Sequence, residues 1–124
     1  MVDTQGLTHA IWITTSDVTD RNGALKCIHH NSKKLREIKV VLADGAYCGI
    51  NFASAVAKKI KAGVVIAKRS EMHTFKVVPK RWVVERSFAW LEKCRPLWKN
   101  REGYLTTSLQ MTNLAFLVLM LRRF

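Results

Sequence analysis

Glu85 stands inside the run Arg81-Trp82-Val83-Val84-Glu85-Arg86-Ser87-Phe88-Ala89-Trp90-Leu91, a single carboxylate in an aromatic-rich and otherwise cationic stretch. From Lys58 to Arg101 there are 13 Lys and Arg against 3 acids, Glu71, Glu85 and Glu92. The whole chain has 21 basic and 9 acidic side chains, a net +12, so most of the excess lies in that segment. An acid kept within a surface that attracts anions has two readings. It can pair with Arg81, one helical turn earlier, or it can ligate a metal ion that works on a captured phosphate. Asp44 is the second carboxylate of interest. It closes the apolar run 38–43 and so falls at the C-terminal end of a strand, the edge of open α/β sheets where ligand groups gather. Its plainer reading is a turn aspartate, which Asp-Gly favours by itself. Two carboxylates 41 residues apart, on separate elements beside a basic surface, are the donors that hard divalent ions prefer. Paired ions of that kind can clamp the attacking and leaving oxygens of a displacement at phosphorus. Such sites usually draw on three or more carboxylates, and a third is not evident here.

The elements that would position these groups follow from the pattern of the chain. Its 124 residues, 48% hydrophobic, fit one small domain spanning 1–124. Residues 9–15 are aromatic and β-branched and predict a strand. A helix is expected from about Asp20 to Leu35, with Leu25, Ile28 and Leu35 inward. Residues 38–43 predict a central strand buried on both faces, followed by a turn. Asn51 can cap the next helix, to about Lys61, and 63–67 is a third strand. Pro79 suits the first turn of a long helix reaching about Trp98, and a last helix runs from about Thr106 to Arg123. Alternating strands and helices argue for an α/β layered domain with some parallel pairing.

Composition excludes several classes. A pI near 10.1 with clustered charge is an electrostatic footprint for nucleic acid or another polyanion. Trp82, Trp90, Trp98 and Tyr104 interleave with the cations and could stack on unpaired bases, although aromatics at helical spacing are more often core. Cys27, Cys48 and Cys94 are widely spaced and odd in number, which reads as reduced thiols in a reducing cytoplasm, with no zinc or disulfide framework. The adjacent His29 and His30 point in different directions on a helix and make a poor ligand pair. The longest apolar stretch, 114–121, is eight residues, against about 20 for a membrane helix. The expectation is a soluble protein with no membrane partner.

At this level of detail the chain resembles the C-terminal half of the DDE transposases encoded by bacterial insertion sequences, families four and five. Val2-Asp3-Thr4-Gln5-Gly6-Leu7 is similar to the family's valine–aspartate–threonine–x–glycine turn, and Ser16 to Ala24 to its aspartate–arginine–x–glycine–alanine segment. Leu42 to Tyr47 resembles the block with the second catalytic aspartate, and Phe75 to Leu91 the block with the catalytic glutamate. The resemblance implies an α/β fold with a truncated RNase H-like core, a mixed sheet flanked by helices and lacking its first strand. It implies Asp44 and Glu85 as catalytic metal ligands that converge at one edge of the sheet. The cofactor would be Mg2+ or Mn2+, in a two-ion site completed by an aspartate outside this chain.

Arg81, four before the glutamate, becomes a DNA-phosphate contact, with Lys80, Arg86, Lys93 and Arg95 as further DNA-binding candidates. The implied partners are DNA (element ends and target), an upstream transposase half or full-length transposase, and a further copy of the chain when active. The setting would be the bacterial cytoplasm, at the nucleoid. Two departures stand out. Asp3 falls in a different block from the family's first catalytic aspartate, and position 92, seven after Glu85, holds Glu92 where a basic residue is usual. The isolated chain is therefore expected to be inactive. It reads as the second frame of a frameshifted gene or as a decayed remnant. The rival function is a non-catalytic DNA-binding or inhibitory fragment; an RNA-binding basic protein fits the charge but leaves the Asp44 and Glu85 blocks unexplained.

If about 4–6 of the cations engage phosphates, raising salt from 50 to 200 mM weakens duplex binding by roughly two to three orders of magnitude, with a log–log slope near −0.9 per phosphate. Fluorescence anisotropy on a labelled duplex reads this directly. A salt-insensitive affinity would point to stacking on bases instead.

Overall fold

The computed structural model describes residues 1–67, 81–94, 97 and 101–123. Two compact units divide the chain: residues 15–79, and residues 1–14 together with 80–124.

In the first unit, helix α1 (Asp20–His30) begins where Thr19 turns extended and its hydroxyl accepts from the Asn22 N–H. Asp20 lies in the first turn, the placement of an acid that a helix dipole favours. Asn31 ends the helix early, donating from both its backbone N–H and its side-chain amide to the Cys27 carbonyl. The chain then turns, so Leu35 reaches the core by a bend rather than along the expected longer helix; it is fully buried.

Strand β1 (Val40–Asp44) follows, then a single 3-10 turn at Gly45–Tyr47, then helix α2 (Ile50–Ile60) and strand β2 (Gly63–Ala67). β1 and β2 pair in parallel from Val40↔Gly63 to Asp44↔Ala67. Phe52, Val56 and Ile60, spaced four apart, are the buried stripe of α2 and, with Cys27, Ile28 and Leu35, make up the apolar core of this unit. Gly49, not Asn51, occupies the α2 N-cap, at φ 131°. Lys61 closes the helix in the left-handed region, with its N–H on the Ala57 carbonyl.

Three expectations differ from the structure. β1 is not buried on both faces. Its burial alternates, and Val40 and Leu42 are 58% and 45% exposed, as in a sheet with one covered face. Residues 9–15 form no strand: His9 and Ala10 exchange backbone hydrogen bonds with Met1, but no ladder partner lies alongside residues 11–15 among the described residues, and β-propensity without a partner is not enough. The nearby pairing is a lone antiparallel bridge, Val2↔Thr8. The sheet among the described residues is therefore two parallel strands, not a mixed one.

The second unit holds α3 (Arg81–Glu92) and α4 (Leu105–Arg123), which pack on each other. Val83 and Ser87 on α3, and Ser108, Ala115 and Phe116 on α4, are buried. Among the described residues no helix is long and apolar enough to cross a membrane. The whole is a mixed α/β structure with four α-helices and one parallel strand pair among the described residues.

Truncating the fully buried Leu35 to Ala is expected to cost about 2–5 kcal/mol. Ile50→Ser, at a position 81% exposed, is expected to stay within about 0.5 kcal/mol. Urea unfolding followed by circular dichroism checks both.

Candidate metal and nucleic-acid site

Asp44 is the last residue of β1, at the carboxyl edge of the parallel pair. Its Oδ1 accepts from the Ala46 N–H at 2.9 Å and so caps the 3-10 turn. Its other oxygen has no hydrogen bond or ion pair among the described residues, and the residue is exposed. The turn contact engages one oxygen of Asp44 and does not conflict with the ligand reading. Arg21 steadies the same loop from α1, donating from Nε to the Ala46 carbonyl at 2.8 Å, with Nη2 4.0 Å from Cys48 Sγ. Tyr47 beside it packs its ring against Phe52, centroids 5.5 Å apart. Burial raises its phenol pKa, with the Asp20 and Asp44 charges adding to the effect.

Glu85 is exposed on α3, in the other unit. Arg81 opens that helix, and its side chain, like Lys80 and Arg95, lies outside the described residues, so its pairing with Glu85 does too. Lys93 is exposed just beyond the end of α3. Among the described residues no group of three or more His, Cys, Asp or Glu gathers at metal-ligand distance. An exposed carboxylate with an uncommitted oxygen, as at Asp44, does fit a hard divalent ion.

Arg86 is engaged within the protein. Its guanidinium lies 4.6 Å from the Trp82 ring centroid and 5.0 Å from that of Trp90, one turn to either side. Nη2 donates to the Gln5 carbonyl at 2.7 Å, and the buried Nε meets no acceptor among the described residues. Next to it, the buried Ser87 hydroxyl lies 2.9 Å from the Gly6 carbonyl and 3.0 Å from that of Val83.

The segment these residues hold is a compact turn. Asp3 Oδ1 accepts from the backbone N–H groups of Gln5 (2.8 Å) and Leu7 (2.9 Å), and the Asp3 N–H donates to the Leu7 carbonyl. Burial works against the Asp3 charge, but those N–H groups and the His9 ring outweigh it and hold the carboxyl pKa below its ordinary range. Gly6 takes φ +83°, and a Cβ there would lie 3.0 Å from Ser87 Oγ. Beside the turn a cavity of about 360 Å³ is lined by Leu7, Trp90, Phe116, Leu119 and Met120, with Gly6 and Arg122. This association of the turn with α3 was not read from the sequence. Its one visible sign was Trp82, Arg86 and Trp90 at spacings of four.

The family model described as the transposase DDE domain matches residues 1–121, and the chain belongs to that family. Neither a curated protein nor a solved structure matches it.

Gly6→Ala is expected to lose about 2 kcal/mol of stability. A side chain in the left-handed region costs about 1–2 kcal/mol, and Ser87 Oγ is too tightly held to move aside. Gly103→Ala meets nothing within 4 Å and serves as the neutral control in the same urea titration.

Proposed function

We propose that this chain is the C-terminal part of a transposase catalytic core, acting on DNA phosphodiesters in strand cleavage and transfer. Family membership supports the class. The observation that supports the site is Asp44 closing β1 at the carboxyl edge of the parallel pair, one oxygen fixed by the Ala46 N–H and the other without a hydrogen bond among the described residues. In this reading Asp44 and Glu85 are ligands of Mg2+ or Mn2+, with a further aspartate supplied from outside these residues. When bound, a pair of such ions stabilises the attacking and leaving oxygens of an in-line displacement. Asp44 orients its uncommitted oxygen through the Ala46 N–H. Lys80, Arg81, Lys93 and Arg95 draw in the DNA backbone, with Arg86 contributing only what Gln5 and the indoles leave. The working assembly contains DNA ends and target, the upstream segment or full-length transposase, and more than one copy, in the bacterial cytoplasm at the nucleoid.

The experiment combines the chain with an upstream segment bearing the missing aspartate, on a labelled element-end duplex with Mg2+ or Mn2+. Cleavage is expected with both parts and not with the chain alone. Asp44→Asn and Glu85→Gln each lower it by about 10³-fold or more, the scale of losing metal-borne charge stabilisation. Duplex affinity stays within about twofold. Cleavage that survives Glu85→Gln overturns this reading. Tight binding with no cleavage in any combination makes the chain a DNA-binding or inhibitory fragment.

A further inference from the structure

Glu85 is followed directly by the two residues through which α3 is held to the N-terminal turn. Arg86 Nη2 donates to the Gln5 carbonyl at 2.7 Å, and the Ser87 hydroxyl, whose single proton is shared between the Gly6 and Val83 carbonyls, lies 2.9 Å from the Gly6 oxygen. Consecutive helical residues are separated by about 100° around the axis and about 1.5 Å along it. Two bonds from adjacent positions to adjacent carbonyls therefore restrain both the rotation of α3 and its displacement along its axis. Neither bond alone would do both. The indoles of Trp82 and Trp90 hold the Arg86 guanidinium from either side. On the turn side, both carbonyls are presented by a loop whose shape rests on Asp3 Oδ1, held by the Gln5 and Leu7 N–H groups, and on the positive φ of Gly6.

We infer that the Asp3–Leu7 turn is a positioning element for Glu85, with Asp3 acting through Arg86 and Ser87 as a structural acceptor and not as a metal ligand. The inference rests on the proposed role of Glu85. It divides two uses of an acidic residue that chemistry alone would treat alike. A metal ligand needs the charge of a carboxylate, whereas the turn is shaped by Oδ1, which asparagine also supplies; the half-exposed contact of Oδ2 with His9 Nε2, at 3.5 Å, contributes little to it.

The test compares Asp3→Ala, Asp3→Asn and Ser87→Ala in the full 124-residue chain, with Glu85→Gln as reference. Amide hydrogen exchange reads α3 without any cleavage. Asp3→Ala and Ser87→Ala are each expected to speed exchange at residues 86–92 by about tenfold or more, leaving α1 and α2 within about twofold. Asp3→Asn is expected to restore parent-like exchange. Because Asp3 and Ser87 serve one linkage, the double variant is expected to be no faster than the worse single. In the reconstituted cleavage reaction, Asp3→Ala falls at least about tenfold with duplex affinity unchanged, and Asp3→Asn returns to within about threefold of the parent. An Asp3→Asn variant as inactive as Asp3→Ala overturns the inference, since the charge would then be what matters. Unchanged α3 exchange in both alanine variants overturns it, as does equal acceleration in every helix. If Glu85→Gln cleaves like the parent, the transposase reading falls, and the exchange data alone decide whether the turn grips α3.

Discussion

Parallel strands cannot be joined by a tight turn; the chain must cross back over the sheet, and in residues 15–79 that crossing is α2. Its eleven residues carry Phe52, Val56 and Ile60 on one face, and all three are buried. Seating that stripe brings Gly63 opposite Val40 and Ala67 opposite Asp44. The register places Asp44 at the carboxyl edge, so the position of the candidate carboxylate depends on apolar packing well away from it. The Asp44 side chain then shapes the first turn beyond the strand, through the Ala46 N–H.

The second unit solves a different problem, which is where to put an arginine on a helix that also packs. Arg86 is half-buried, and a guanidinium taken out of water needs replacements for its hydration. Two indole faces and one backbone carbonyl provide part of them, and the buried Nε has no acceptor among the described residues. Cation–π contacts contribute about 0.5–1 kcal/mol when exposed and more when desolvated, so two of them with a charge-assisted hydrogen bond hold the side chain firmly. Arg86 keeps its positive charge, because its partners are neutral, but part of its hydrogen-bonding capacity is used to fasten an N-terminal turn.

Local patterning was enough to read much of the fold. Val40–Asp44 and Gly63–Ala67 are strands, and Ile50–Ile60 and Leu105–Arg123 are helices, each within a few residues of where periodicity and punctuation put them. These signals are carried by near neighbours: a four-residue apolar repeat, a β-branched run, a glycine or asparagine at an end. The position of Asp44 at the end of its strand was legible for the same reason. The family blocks, being contiguous in the chain, were legible as well.

Contacts distant in the chain were not. Residues 9–15 have strand-forming side chains but no ladder, because a strand exists only where another backbone offers its N–H and carbonyl groups. Arg86 looks in sequence like any other cation on a basic helix. Only its contact with Gln5, 81 residues away, shows that its hydrogen-bonding capacity is partly spent within the protein. Asp3 likewise looks like a spare carboxylate until the fold shows its oxygen holding two backbone N–H groups. The sequence by itself determined the residue types, the charge and the local elements, since these depend on composition and on neighbours a few positions apart. Which polar groups were consumed by the protein's own backbone was decided only by tertiary structure, because a hydrogen bond depends on separation in space and not along the chain.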